Sequence, residues 1–211
     1  MGKNMLPRVI GVLVAVILMG FSISWLNPCG FGTDSYTAMN MAISQKLGIS
    51  FGNWQAGLNI LLFLVVLACG RHYIGLGTFA NMLLVGYSCD FFSWIWDQVL
   101  PATFFNTFSV RVLVAIPALA LFVLAAAVYM DMDLGTSPYD ALSFILHKAI
   151  GERVPFSVLR ILYDLFVTVL GYFFGAPFAG VTLAMAFLLG PAVSAVGRWL
   201  ENMTCRIPAK N

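Results

Sequence analysis

Two charged side chains, Arg160 and Asp164, lie four residues apart in an otherwise apolar run of the chain. On a helix this spacing puts both side chains on one face, where they can form an ion pair. Gln55 and Asn59 have the same spacing in an earlier apolar run and could form the same pattern with neutral hydrogen bonds. A guanidinium beside a carboxylate can bind a polar molecule or can join helices, and both alternatives remain open.

A further acid, Asp90, lies within the apolar run "VGYSCDFFSW", next to Tyr87 and Ser88. It has no basic neighbour on its own predicted helix, so its partner would be Arg160, water, a substrate amine or its own proton. Carboxylates inside apolar spans often mark the path of a substrate or a proton. We therefore predict that Asp90 belongs to a binding site.

The phrase "DLGTSPYDAL" places Tyr139 and Asp140 at the start of a short predicted helix. Glycine allows a sharp turn before the helix, and Pro138 suits its first position. Thr136 is the predicted N-cap, as Thr33 is in the earlier phrase "GFGTDSYTAM". Asp140 could bind a ligand, or it could stabilise the helix dipole.

Long apolar runs must position these side chains. Hydrophobic residues make up 61% of the 211 residues and charged residues only 9%, with a mean hydropathy of +0.92, so the chain is predicted to be an all-α membrane protein whose partner is the lipid bilayer. Six runs approach the roughly 20 residues that cross a bilayer. They cover residues 6–26, 54–69, 79–96, 110–130, 156–174 and 178–200.

Several classes of function lack their sequence features. The basic residues form no tract that would bind nucleic acid. The four cysteines are far apart and show no metal or redox spacing, so no metal and no cofactor are predicted. Nucleophile–base pairs, zinc-protease motifs and nucleotide loops are not found either, which argues against an enzyme.

Two parts of the chain have similar sequences. An offset of 103 residues aligns Tyr36 with Tyr139, and after a two-residue insertion an offset of 105 aligns Phe51 with Phe156. We therefore predict an internal duplication, with a first repeat at 1–99, a linker at 100–106 and a second repeat at 107–211.

Each predicted unit has about four helices, one of them short, at 34–48 and at 137–150. Crossing short helices would give eight spans in two parallel units, whereas re-entrant short helices would give six spans in inverted units. Because aligned positions carry matching charges, such as Arg8 and Arg111, we favour the parallel arrangement. We also predict that both termini face the cytoplasm.

The repeated phrases and the later "VPFSVLRILYDLFVTVLG" resemble the YczE-like bacterial membrane proteins, which are distantly similar to the YitT group. The first half departs from the motif, with Ser35 in place of Pro138 and Thr37 in place of Asp140. The resemblance implies a multi-pass protein of the bacterial inner (plasma) membrane with a suspected role in transport.

Repeats, glycine-broken helix starts and polar spots within spans together favour a transporter or permease for a small polar metabolite, bound between the two repeats. The predicted substrate-binding residues are Gln55, Asn59, Asp90, Tyr139, Asp140, Arg160 and Asp164. The alternative is a membrane accessory or sensor subunit in which the buried charges only fix helix packing. Either kind of protein could have a membrane partner or form a homo-oligomer.

Overall fold

The computed structural model describes residues 5–151, 153–176 and 180–204, and these residues form helices without strands. The helices are α1 Met5–Cys29, α2 Ser35–Leu47, α3 Phe51–Cys69, α4 Leu76–Val99, α5 Phe108–Asp131, α6 Pro138–Ala149, α7 Phe156–Phe173 and α8 Gly180–Thr204. Short 3-10 turns lie at Arg71–Tyr73 and Phe104–Asn106. The predicted all-α architecture is confirmed.

Among the residues that the structure describes, four helices, α1, α3, α5 and α7, are long and apolar enough to cross a membrane. Large apolar side chains cover their outer surfaces, including Leu61, Leu113 and Phe166, each at least 60% exposed. Such a surface suits contact with lipid and is rare in soluble proteins. The chain is therefore a membrane protein. The start of the last predicted span at 178 lies outside the described residues, as do the terminal residues 1–4 and 205–211.

The N-caps of the short helices lie one residue later than predicted. Asp34 caps α2 by accepting from the backbone N–H of Thr37 at 3.0 Å, and Ser137 caps α6 by accepting from the N–H of Asp140 at 3.1 Å. The prediction of Thr33 and Thr136 was wrong because a cap must accept from an N–H two or three residues ahead. The correction places a carboxylate at the start of α2.

The centre of the fold is the contact between α1 and α5, which run antiparallel. Arg8, near the start of α1, donates to the backbone carbonyls of Met132 and Asp133 just beyond the end of α5. At the opposite end, Gly30 just after α1 lies close to Arg111 near the start of α5. A Cβ built on Gly30 would be 3.9 Å from Arg111 Nη1. The favoured parallel arrangement of the two units is therefore wrong, since their first helices point in opposite directions.

Helix neighbours recur in both halves of the chain. The contact of α1 with α4 has a counterpart in α5 with α8, and that of α3 with α4 has one in α7 with α8. Across the halves, α2 packs on α7 just as α6 packs on α3. A duplicated unit predicts this recurrence. The duplication itself stays a prediction, which superposition of the two halves tests.

The short helices begin beside the middle of a long helix. With 13 and 12 residues, α2 and α6 are about 20 Å and 18 Å long, less than the ~30 Å of a hydrocarbon core. Tyr139 at the start of α6 reaches Asp164 in mid-α7, whereas His147 at its end contacts Val154 just before α7. Tyr36 reaches Asn59 in α3 in the same way. This geometry matches the six-span alternative with two re-entrant helices.

Candidate functional site

A cavity of about 220 Å³ lies between the halves, and each of the eight helices or the residue capping it contributes to its lining. An apolar cavity of about 150 Å³ is large enough for benzene, so this volume admits a small metabolite. Five of the seven predicted site residues line the cavity, namely Gln55, Tyr139, Asp140, Arg160 and Asp164. The starts of both short helices, at Asp34 and Ser137, also face it.

Arg160 is the centre of the charged side of the cavity. Its Nη1 donates to Asp140 Oδ1 at 2.7 Å and its Nε donates to Asp164 Oδ2 at 3.0 Å. The second bond is the predicted pair of residues four apart on α7, whereas the first ties α7 to the start of α6. Asp140 lies in the first turn of α6, where a carboxylate stabilises the helix dipole, and it also pairs with the Arg160 guanidinium. Its predicted role in binding a ligand stays a prediction.

Tyr139 completes this cluster from α6. Its hydroxyl donates to Asp164 Oδ1 at 2.6 Å, and the Arg160 guanidinium lies 5.2 Å from the centre of its ring. The ring stacks on Tyr36 at 4.3 Å and on Tyr163 at 4.7 Å between centroids. Hydrogen bonds, cation–π contact and stacking therefore hold the start of α6 against both α7 and the start of α2.

The first half has a neutral version of the same arrangement. Tyr36 donates to Asn59 Oδ1 at 2.8 Å, just as Tyr139 donates to Asp164. Gln55 takes the position of Arg160, four residues before the hydrogen-bonded partner of the tyrosine. Asn59 is fully buried behind Tyr36 and does not line the cavity, whereas Gln55 does. The same polar arrangement thus occurs in both halves, and it is charged only in the second half.

Asp90 lies outside the cavity lining. Its Oδ2 accepts from the backbone N–H of Gly52 at 2.8 Å, at the first turn of α3. A backbone donor from a neighbouring helix was not among the partners that its sequence context suggested. The contact stabilises a helix N-terminus, which favours negative charge, and it joins α4 to α3. The structure therefore separates Asp90 from the other charged candidates.

Asp34 is the cavity residue that the sequence analysis missed. Its Oδ2 caps α2, while Oδ1 is shielded from solvent and has no hydrogen-bond partner among the described residues. The same holds for Oε1 of Gln55, whose side chain is only 3% exposed. The sequence did contain a signal for Asp34, because an acid directly before a helical segment is a preferred N-cap. If such a helix starts inside the membrane, its cap lies inside the membrane as well.

Comparison with known proteins gives relatives with matching length. The chain is 24% identical over 176 residues to the uncharacterized membrane protein YczE of Bacillus subtilis (strain 168), covering 83% of this chain and 78% of the relative. It is 24% identical over 178 residues to the uncharacterized protein YyaS of the same organism, covering 84% and 86%. No solved structure matches the chain.

These relatives confirm the resemblance that the repeated phrases indicated. A protein-family model described as "Family of unknown function (DUF6198)" matches residues 6–198, which is nearly the whole chain. The chain belongs to this family, and it is a multi-helical membrane protein with a polar cavity between its halves.

Proposed function

We propose that the protein is a transporter or permease of the bacterial inner membrane that binds a small polar metabolite in the cavity between its halves. The observation that carries the proposal is the cavity itself. Polar atoms from both halves line it, from Gln55 in α3 to Arg160 in α7, within a fold whose outer surface is apolar. Transporters commonly bind substrate near mid-membrane, at the interface of inverted units.

The two short helices support the same proposal. Both begin at the cavity, where Tyr36 stacks on Tyr139, and each begins beside the middle of a long helix. Helices that start inside the membrane are a recurrent way to present polar groups to a substrate. Irregular backbone at that depth is tolerated where it lines a cavity. The last residues of the two irregular segments, Asp34 and Ser137, line this one.

The accessory-subunit alternative requires a dry interior in which Arg160 and Asp164 satisfy only each other. Instead, Arg160 also binds Asp140, and Asp34 and Gln55 present polar atoms that no described residue binds. These features favour the transport proposal. We further propose that both termini face the cytoplasm and that the protein is not an enzyme. Since the sequence has no nucleotide-binding motif, uphill transport would use an ion gradient or a partner protein.

A screen of small polar metabolites by thermal unfolding of the purified protein tests the proposal. A ligand that binds only the folded state at 100 times its Kd adds about 2.7 kcal/mol of stability and raises the melting temperature. We expect at least one such ligand, and we expect proteoliposomes that contain the protein to take it up.

The matched variant is Ala126→Phe, since Ala126 lines the cavity from α5 and a phenyl ring there would fill part of its volume. The variant should lose the ligand-induced shift. A shift of wild-type size in the filled variant, or a ligand that binds but never enters proteoliposomes, would contradict the proposal.

A further inference from the structure

Two residues of the cavity lining each have a shielded side-chain oxygen that lacks a donor among the described residues. Asp34 Oδ1 and Gln55 Oε1 both belong to cavity-lining residues, and neither accepts a hydrogen bond from any described residue. The other carboxylate oxygen of Asp34, Oδ2, accepts from the backbone N–H of Thr37 at 3.0 Å. Burying an acceptor without a donor is unfavourable, so a ligand that supplies N–H or O–H donors gains by meeting these atoms.

Acidic side chains outnumber basic side chains in the described cavity lining. Its charged lining residues are Asp34, Asp140, Asp164 and Arg160 among the residues that the structure describes. Arg160 lies 2.7 Å from Asp140 and 3.0 Å from Asp164, so its one positive charge is already shared between two acids. Asp34 forms no ion pair with a described residue. Asp34 is therefore the acid of the cavity lining that Arg160 does not pair with, although it lies beside the Arg160 cluster, where Asp34, Arg160 and Asp164 line one small pocket.

Helix N-termini would favour an anion, but here acids already occupy them. The α2 terminus is capped by the carboxylate of Asp34, and the α6 terminus has Ser137 as its cap with Asp140 in its first turn. The helix dipoles therefore stabilise these carboxylates and leave no free positive site. Aromatic rings of Tyr36, Phe144 and Phe156 also line the cavity, and aromatic faces attract cations.

We propose that the cavity binds a small organic ammonium ion whose N–H groups donate to Asp34 Oδ1 and Gln55 Oε1; this inference rests on the proposed transport function and names its substrate class. The positive charge of the ligand meets the carboxylate that Arg160 does not serve.

Four small probes of similar size test the two parts of this proposal. Ethanolamine carries an ammonium with N–H donors, choline carries the same charge without them, ethylene glycol has donors without charge, and glycolate is an anion. We expect ethanolamine to raise the melting temperature most and to bind at least about tenfold more tightly than choline or ethylene glycol, since a charge-assisted hydrogen bond needs both properties. Glycolate should bind weakest.

The variant that isolates Asp34 is Asp34→Asn. Asparagine caps helices as well as aspartate, so α2 should keep its start while the negative charge is lost. The expected result is a loss of about tenfold or more in ethanolamine affinity. Asp97→Asn, which removes an exposed carboxylate near the end of α4, is the matched control and should keep wild-type affinity. If Asp34→Asn fails to fold, the affinity ranking of the four probes on the wild-type protein decides whether the ammonium proposal holds.

Two outcomes would overturn the ammonium proposal. If choline, ethylene glycol or glycolate bound as tightly as ethanolamine, binding would not depend on charged N–H donors. If Asp34→Asn kept the wild-type affinity for ethanolamine, Asp34 would not be a binding residue. The metabolite screen keeps the two proposals distinguishable. A hit that is transported but lacks an ammonium group leaves transport standing and rejects this inference, whereas a screen without any hit rejects both.

Discussion

Replacing Arg160 by glutamine is expected to lower the free energy of unfolding by about 3–5 kcal/mol, because it leaves two largely buried acids without their cation. Arg160 bonds Asp140 and Asp164 at 2.7 Å and 3.0 Å, and Asp164 is only 6% exposed. An unpaired buried charge costs more than the pair contributes. Unfolding in mixed micelles measures the loss.

The first half of the chain supplies the control. Its residues Thr37, Gln55 and Asn59 occupy the aligned positions, so the triple variant Asp140→Thr, Arg160→Gln, Asp164→Asn copies a neutral arrangement that this fold already contains. Tyr139 can donate to an asparagine there, as Tyr36 does to Asn59 at 2.8 Å. We expect the triple variant to recover most of the lost stability.

These variants also separate structural from binding roles. A triple variant that is as unstable as Arg160→Gln would contradict the view that uncompensated charge causes the loss. A triple variant that folds normally but no longer binds a ligand found by the screen would place Arg160 and its acids in the binding site. Normal folding with normal binding would restrict them to a structural role.

The second large effect concerns the side of the membrane on which each short helix ends. Lys46, at the end of α2, lies 5.7 Å from the ring of Phe174 just after α7. At the end of α6, His147 contacts Val154 just before α7. The 18 residues of α7 span about 27 Å, so Lys46 and Lys148 should emerge on opposite faces of the membrane.

Cysteine labelling measures this directly in a background without the native cysteines. With both termini in the cytoplasm, an impermeant thiol reagent added to intact cells should modify Lys46→Cys strongly and Lys148→Cys hardly at all. A permeant reagent should modify both, since both positions are exposed in the structure. Equal protection of the two cysteines would restore the parallel eight-span arrangement.

The sequence predicted which segments form long helices better than it predicted the relative orientation of the two units. Apolar runs mark long helices because lipid contact demands a minimum length of apolar residues. The parallel arrangement was predicted because matching charges, such as Arg8 and Arg111, were taken as loop charges that indicate the side of the membrane. That assumption was wrong. In the structure both arginines bind backbone carbonyls at helix ends, of Met132 and of Phe105, a role that exists equally on either face.

The contacts within the candidate site were predictable only where the two partners share a helix. Arg160 and Asp164 were found because residues four apart on a helix must be neighbours. The bond from Arg160 to Asp140 and the isolation of Asp90 depend on how separate helices pack, which no local spacing reveals. Asp34 was missed because its role follows from where α2 begins, and that start was placed one residue too early.

The proposed function requires that the cavity between the halves is a substrate site. The most direct measurement is the rate of thiol modification of Ala126→Cys in a protein without its native cysteines, with and without a ligand from the screen. Ala126 lines the cavity from α5, whereas Ala118 on the same helix belongs to the packed core, so Ala118→Cys is the control. We predict that the cysteine at 126 reacts with a small reagent, that the ligand protects it, and that the cysteine at 118 stays unreactive throughout. Equal reactivity at both positions, or a cysteine at 126 that saturating ligand does not protect, would contradict the claim.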